Sequence, residues 1–431
     1  MKTPKISILL VFVLAASLLS AALVQGQENI ELQVTWWGSQ NRHDRTIQVI
    51  EMYEAENPNV DIVFEFANFN DYWTRLNTQA AGQLACIMQQ DYAYVAEWAN
   101  RDLLLPLDPF IESGAIDTTY ISDSLLEGGR VNGEVYAISL GTNSQSIILD
   151  LDAFEAAGIE LPAADWTWAD FEEISTQLHD ELGIWAIGPG LADVQLWKSL
   201  YVGLGENPFT DDGTALGYSD DQPLIDYYNM IVRLQAAGVV PTQEEALEYL
   251  DTGPEATPIV TGNAAMQYQW SNQVVAVWVA SGEDRNLKLW HLPRTEGGAA
   301  ENYLKPSQFF SITATCPHPE EAASFINFFT NDLEANEILL AERGVPISTE
   351  VREHLLPLLD AANAETFDFL SRVEADSSPI FPPDPQGFAD VLNNVYTPLF
   401  VDPVLYGMIP VEEGVATLRT EAEAILAQNA S

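Results

Sequence analysis

The chain has 431 residues, with 17 Lys and Arg against 64 Asp and Glu and a formal charge of −47. A surface that acidic repels phosphate backbones and anionic lipid, which excludes nucleic acid as a partner and disfavours anionic substrates unless Arg and Lys are gathered locally. At 47% hydrophobic and 10% aromatic, the composition is too apolar for a disordered acidic tail, so the acids coat a folded globule.

The N-terminus, MKTPKISILLVFVLAASLLSAALVQGQEN, sets Lys2 and Lys5 before an apolar run that ends in small residues. That is the pattern of a secretory signal peptide spanning residues 1–26; the run from Ile6 to Val24 is also long enough for an uncleaved anchor. The absence of cysteine near the break argues against lipid attachment. Without the leader the chain keeps 15 basic against 64 acidic side chains, a charge of −49, over roughly 405 residues, enough for two or three domains. Two cysteines permit one pairing in a compartment that allows disulfides. Five scattered histidines have no metal-ligand spacing, so neither a metal nor a cofactor is expected.

In chain order, IELQVTWW predicts a strand and HDRTIQVIEMYEAENPNV a helix stopped by Asn57-Pro58. VDIVFEF predicts a second strand, and Asn70 the cap of a helix over DYWTRLNTQAAG. CIMQQ is a short third strand and YAYVAEWANRD a third helix. Strand and helix alternating at this pace predict a parallel sheet covered on both faces. GEVYAISLGTN reads as a further strand opening a second region. There, Thr167 and Asp170 form a capping box, with Trp166 and Phe171 at the staple positions. VQLWKSLYVGLG and QPLIDYYNMIVRLQAAG are helices, the second ending at Gly238. GNAAMQYQW, LKLWHLP and SQFFSITATC are strands, PEEAASFINFF is a helix with proline in its first turn, SSPIFPPDPQG is a loop, and PVEEGVATLRTEAEAILAQ is the last helix.

The ordered series ELQVTWWG, YEAENPNVDIVFEF, YWTRLNTQAAGQL, DLLLPLDPFI, GEVYAISLGTNSQSIILD, WTWADFEEI, GNAAMQYQW, ITATCPHPEEAASFINFF and ERGVPIS resembles the extracellular solute-binding proteins of ABC importers. The branch is the one that includes the maltose-binding protein. The resemblance implies an α/β, two-lobed periplasmic-binding-protein-like fold of type II, each lobe a mostly parallel sheet flanked by helices, with the ligand in the cleft between. It places lobe 1 at 27–140 and 306–346, and lobe 2 at 141–305 and 347–431. In one departure, Leu84-Ala85-Cys86 stands where the family usually has Pro-Asp. The family topology sets that strand antiparallel to the one leading to Cys316, which implies a Cys86–Cys316 disulfide; two buried free thiols are the alternative.

A sugar offers hydroxyls and flat C–H faces, to be met by aromatic rings and by planar amides, carboxylates or Arg. Loop position in the implied layout nominates Trp37, Gly38, Ser39, Gln40 and Arg42 after the first strand. It adds Tyr72 and Trp73 at a helix start, Asp91 and Tyr92 after the third strand, and Thr142 and Asn143 at the first crossing. The second lobe contributes Trp197, Trp270, Ser271 and Asn272, and the later crossings Lys305, Gln308 and Arg343. Each has a plain alternative: the tryptophans as core, Asp91 as a helix cap, Arg343 as an ion-pair partner. Trp36 reads as core, since a central parallel strand is buried on both faces.

No Gly-x-Ser-x-Gly, His-Glu-x-x-His or P-loop occurs. A glycoside hydrolase needs only two facing carboxylates, which 64 acids cannot exclude by count, but the order of elements matches a binding protein without a nucleophile. The expected function is capture of an oligosaccharide outside the cell for delivery to an ABC permease, by a monomer that is not an enzyme. A secreted polysaccharide hydrolase, or a binder of another solute, is the alternative.

Overall fold

The computed structural model describes residues 29–430 apart from 39, 68, 80, 81, 83, 250–252 and 283; the expected signal peptide lies outside these residues. The first sheet begins with β1 (Ile30–Trp37) and β2 (Val60–Ala67), parallel from Ile30 against Val60 to Trp37 against Ala67. The helix Gln40–Glu56 joins them and ends just before Asn57-Pro58. β3 (Ile87–Gln90) lies parallel on the other side of β1.

After β3 come a small hairpin of β4 (Arg130–Val131) and β5 (Glu134–Val135), then β6 (Ile138–Ser139), β7 (Thr142–Asn143) and β8 (Gln145–Asp150). The single strand expected over GEVYAISLGTN is thus three two-residue pieces. The helix over DYWTRLNTQAAG begins at Phe69, so Asn70 lies inside it rather than before it. β9 (Trp185–Ile187), β10 (Ala264–Trp270) and β11 (Leu287–Trp290) follow, then β12 (Lys305–Pro306) and β13 (Phe309–Ile312).

The five-stranded sheet runs β2-β1-β3-β13-β6 and the four-stranded sheet β11-β8-β10-β9. Within each, every strand but one points the same way. β13 is antiparallel to β3 and β6 in the first sheet, and β8 to β10 and β11 in the second. These two reversed strands are where the chain, having crossed from one sheet, enters the other.

The adjacent tryptophans of β1 serve opposite faces, as period-two geometry requires. Trp36 is fully buried, its indole N–H donating to His43 Nδ1 at 3.0 Å and its ring lying 5.5 Å from both Phe64 and Phe66. Trp37 packs on the other face with Tyr72 and Trp73, at 5.1 and 5.7 Å. In the second lobe the capping box is formed: Thr167 accepts from the Asp170 amide, and Asp170 accepts from the Thr167 amide. Trp166 meets Phe171 at 5.8 Å.

Three crossings meet in a small ladder between the sheets. Thr142 and Asn143 pair with Pro306 and Lys305, and Thr142 exchanges both backbone bonds with Val345, at 2.9 and 3.2 Å. Chain approach is so close that a Cβ on Gly141 would stand 2.6 Å from the Arg343 carbonyl oxygen. Gly344, at φ +108°, adopts a conformation that side-chain-bearing residues rarely take. The helix Thr349–Leu355 packs against the helix Leu333–Leu339. Among the described residues no helix is long and apolar enough to cross a membrane.

Cys86, just before β3, is joined by a disulfide to Cys316, beyond β13, with Cα atoms 4.4 Å apart across 230 residues of sequence. The bridge fastens neighbouring antiparallel strands, and removing it should cost on the order of 2–5 kcal/mol. The expected result is that the non-reduced, denatured protein takes up no alkylating agent and that Cys86→Ser with Cys316→Ser lowers the urea midpoint. Two alkylated thiols per chain before reduction would contradict the bridge.

Candidate functional site

Between the two sheets lies a pocket of about 100 Å³. The loop after β3 supplies one wall, Asp91 to Ala93. The helix Val194–Gly203, the segment entering β12 and the proline-rich loop around Phe381 supply the other. Tyr92 spans the gap, its hydroxyl donating to the Phe381 carbonyl at 2.6 Å. Burial there pushes the phenol well above its ordinary range, so Tyr92 acts as a neutral donor.

The aromatic lining is a chain of edge contacts. Trp270 lies 6.5 Å from Tyr303, and Tyr303 5.1 Å from Phe381. Lys305 is exposed, with its ammonium 5.2 Å above the Trp270 ring. Lys198, whose side chain is 2% exposed, donates to both oxygens of Asp384 at 2.8 and 2.9 Å. Its ammonium also stands 4.7 Å from the Phe388 ring. Desolvation lowers the Lys198 pKa, and the Asp384 carboxylate works against that shift. The lysine therefore pegs the proline-rich loop to the helix beneath it. Two lysines face two carboxylates, Asp91 and Asp384, so the pocket is balanced in charge on a chain of −47. Aromatic walls, an exposed ammonium, carboxylates and the Gln195 amide suit a polar, uncharged ligand with apolar C–H faces.

Of the predicted residues, Asp91, Tyr92 and Lys305 line this pocket and Trp270 lies under Lys305. Asp91 also accepts from the Ala93 amide at 2.9 Å. Several others are corrected to packing roles. Tyr72 is fully buried, donating to the Gln89 carbonyl at 2.6 Å, and Trp73 is 7% exposed among Trp37, Tyr94 and Trp98. Trp37, also 7% exposed, belongs to that cluster. Trp197 is fully buried, stacked at 5.4 Å on Tyr396 and bonded to the Tyr218 hydroxyl at 3.1 Å. Ser271 is fully buried and accepts from the Ser144 amide at 3.2 Å. A side chain closed off on all sides offers no surface to a solute.

Arg343 is buried beneath the first sheet, donating to Gln89 at 3.2 Å and Thr46 at 2.9 Å, with burial lowering its pKa to about 9. Arg42 donates to Glu342 at 2.9 Å and to the Trp37 carbonyl at 3.2 Å; Gln40 is exposed and bonds Asp44 at 2.7 Å. This places Gly38, Gln40 and Arg42 outside the pocket lining, and Ser39 is outside the described residues. Thr142 and Asn143 belong to the crossing ladder, where the Gln308 carbonyl accepts from Leu140 at 2.8 Å. Asn272 is exposed on the turn after β10.

Sequence reasoning missed Lys198, Tyr303, Phe381 and Asp384. One signal was available: beyond the leader the chain has only Lys198, Lys288 and Lys305, and two of the three reach this pocket.

Glu301 sits behind the pocket on the segment entering β12, fully buried. It accepts from the Trp168 indole at 3.1 Å and from the Thr295 amide and hydroxyl at 2.8 and 2.9 Å. Burial nevertheless pushes its pKa up to about 7.

A family profile described as bacterial extracellular solute-binding protein matches residues 48–363. Among solved structures, an extracellular solute-binding protein of family 1 from Alicyclobacillus acidocaldarius shares 29% identity, covering 93% of this chain and 99% of its own, with a TM-score of 0.82. A periplasmic oligogalacturonide-binding protein from Yersinia enterocolitica shares the fold at 20% identity, covering 93% of this chain and 100% of its own, with a TM-score of 0.76. A Brucella abortus protein named as a binding protein is 26% identical over 175 residues, 39% of this chain; the match spans 41% of that relative's length.

The raised Glu301 pKa sets a pH dependence. The folded protein holds this proton more tightly than the unfolded chain, so the stability it contributes is fully present below about pH 4.5 and lost as pH rises through about 7. Glu301→Gln should flatten that decline by on the order of 2–3 kcal/mol between pH 5 and 8, read from urea midpoints across that range. A variant whose profile keeps the parent's slope would contradict this.

Proposed function

The chain belongs to the bacterial extracellular solute-binding proteins, and from that premise we propose that it captures a neutral oligosaccharide in the cleft and presents it to an ABC permease. The observation that carries the reading is the pocket shared by both lobes. Tyr303 and Phe381 back it, Trp270 lies beside it under Lys305, and its polar groups are balanced in charge. The half-buried Trp270 ring would cover a C–H face of a sugar, with Tyr303 and Phe381 packed behind as buried wall, while Lys305, Asp91 and Gln195 would bond its hydroxyls.

In this reading the lobes are 27–140 with 306–346 and 141–305 with 347–431, the helix Thr349–Leu355 resting on the first. They rotate about the ladder of Thr142, Lys305 and Val345. Ligand favours the closed arrangement only by binding it more tightly than the open one. Residues 1–26 direct export, the mature monomer works outside the cytoplasmic membrane, and no bond of the sugar is broken. Asp384 is held by Lys198, and Asp91 accepts from the Ala93 amide.

Titration calorimetry and thermal melting of the mature chain against malto-, cello-, xylo- and galacturono-oligosaccharides test this. One neutral series should bind saturably, add about 2.7 kcal/mol of stability at a hundredfold excess over Kd, and be recovered intact. Absence of binding by every sugar, or cleavage of the bound one, would overturn the proposal.

A further inference from the structure

The proline-rich loop has a second side. Phe381 and Pro383 line the cleft pocket and also a groove of about 310 Å³. The far wall of that groove is the loop from Asn207 to Gly213. This loop is a built feature: Phe209 bridges Leu216, and Thr210 N–H donates to the Ala215 carbonyl at 3.0 Å. Asp212 accepts from both the Thr210 and Thr214 hydroxyls at 2.7 Å. At its tip Gly213, with φ +66°, comes so near Pro385 that a Cβ would stand 2.8 Å from the proline Cβ.

We propose that this groove is a second sugar-binding region continuous with the cleft, taking the further units of the same neutral oligosaccharide as it passes over Phe381 and Pro383. The inference rests on the carbohydrate reading above and adds the ligand's length and direction. Three observations support it. The two spaces adjoin along Phe381 and Pro383, which line both. The cleft pocket, at about 100 Å³, is smaller than the roughly 300–1,000 Å³ of a usual small-molecule site, and the groove supplies the missing room. The groove's surface also offers matching chemistry, with the Pro382, Pro383 and Pro385 rings for C–H faces and the Asn207 and Gln386 side chains for hydroxyls. Asp211 and Asp212, both exposed at its rim, oppose uronate units there. The Lys198–Asp384 pair holds the shared wall upright: Lys198 grips the residue between Pro383 and Pro385 and places its ammonium 5.3 Å from the Phe381 ring.

The test is calorimetry with defined malto-, cello- and xylo-oligosaccharides of one to six units, on the mature protein and on the double variant Asn207→Ala, Gln386→Ala. Affinity for the binding series should rise with length until both regions are filled. The double variant should then lose about tenfold on the longest chains while leaving the shortest binder unchanged. Affinity flat with length, or equal losses at every length, would overturn the second region and leave the cleft reading standing. No binding at any length, with the variant's melting curve intact, would overturn both. Tightest binding by a matched galacturonide series would overturn the neutral-sugar assignment of the groove.

Discussion

Everything in this molecule hangs on a ladder only a few residues wide. β7 sits between β12 and Val345, with Thr142 paired to Pro306 on one side and to Val345 on the other, so three separate passages of the chain between the sheets are tied side by side by backbone hydrogen bonds. Gly141 and Gly344 let them approach. Because β7 leads directly into β8 and β12 into β13, any rotation at the ladder carries a whole sheet with it. The loop bearing Asp91 and Tyr92 then moves relative to the wall bearing Trp270, Tyr303 and Phe381. In the proposed closure this paired backbone would resist shear while permitting small changes in φ and ψ at its ends.

The wall opposite Tyr92 is rigid for a different reason. A lysine with a 2% exposed side chain is costly unless its partner geometry is good. Here the bidentate contact to Asp384 and the flanking Phe381 and Phe388 rings meet that condition. The pair adds little net stability by the usual balance of desolvation and attraction. What it supplies is position: a proline-rich loop with few backbone donors of its own is fixed against a helix, with a face on each side available for contact.

Local signals in the sequence carried a large part of this architecture. The Thr167–Asp170 capping box and the strand β10 need only neighbours in sequence, and the structure contains both. β8 escaped because SQSIILD has only three consecutive apolar residues among polar ones and no alternation; its six residues are nevertheless all buried. For the candidate site, loop position pointed to Tyr92 and Lys305, which line the pocket, but could not set the rotation of a helix. Tyr72 and Trp197 lie on elements beside the cleft and turn inward. The Lys198–Asp384 contact joins residues 186 apart, a tertiary fact with no local trace except the scarcity of lysine. The disulfide was legible only through the family layout, because nothing near either cysteine points to the other.

Hydrogen–deuterium exchange of the mature chain, with and without a saturating neutral oligosaccharide, tests the central claim most directly. Binding in a cleft shared by both lobes predicts simultaneous protection of residues 91–95, 303–306 and 378–386, with the cores of both sheets unchanged. Protection confined to one lobe, or falling on surfaces away from the cleft, would contradict it.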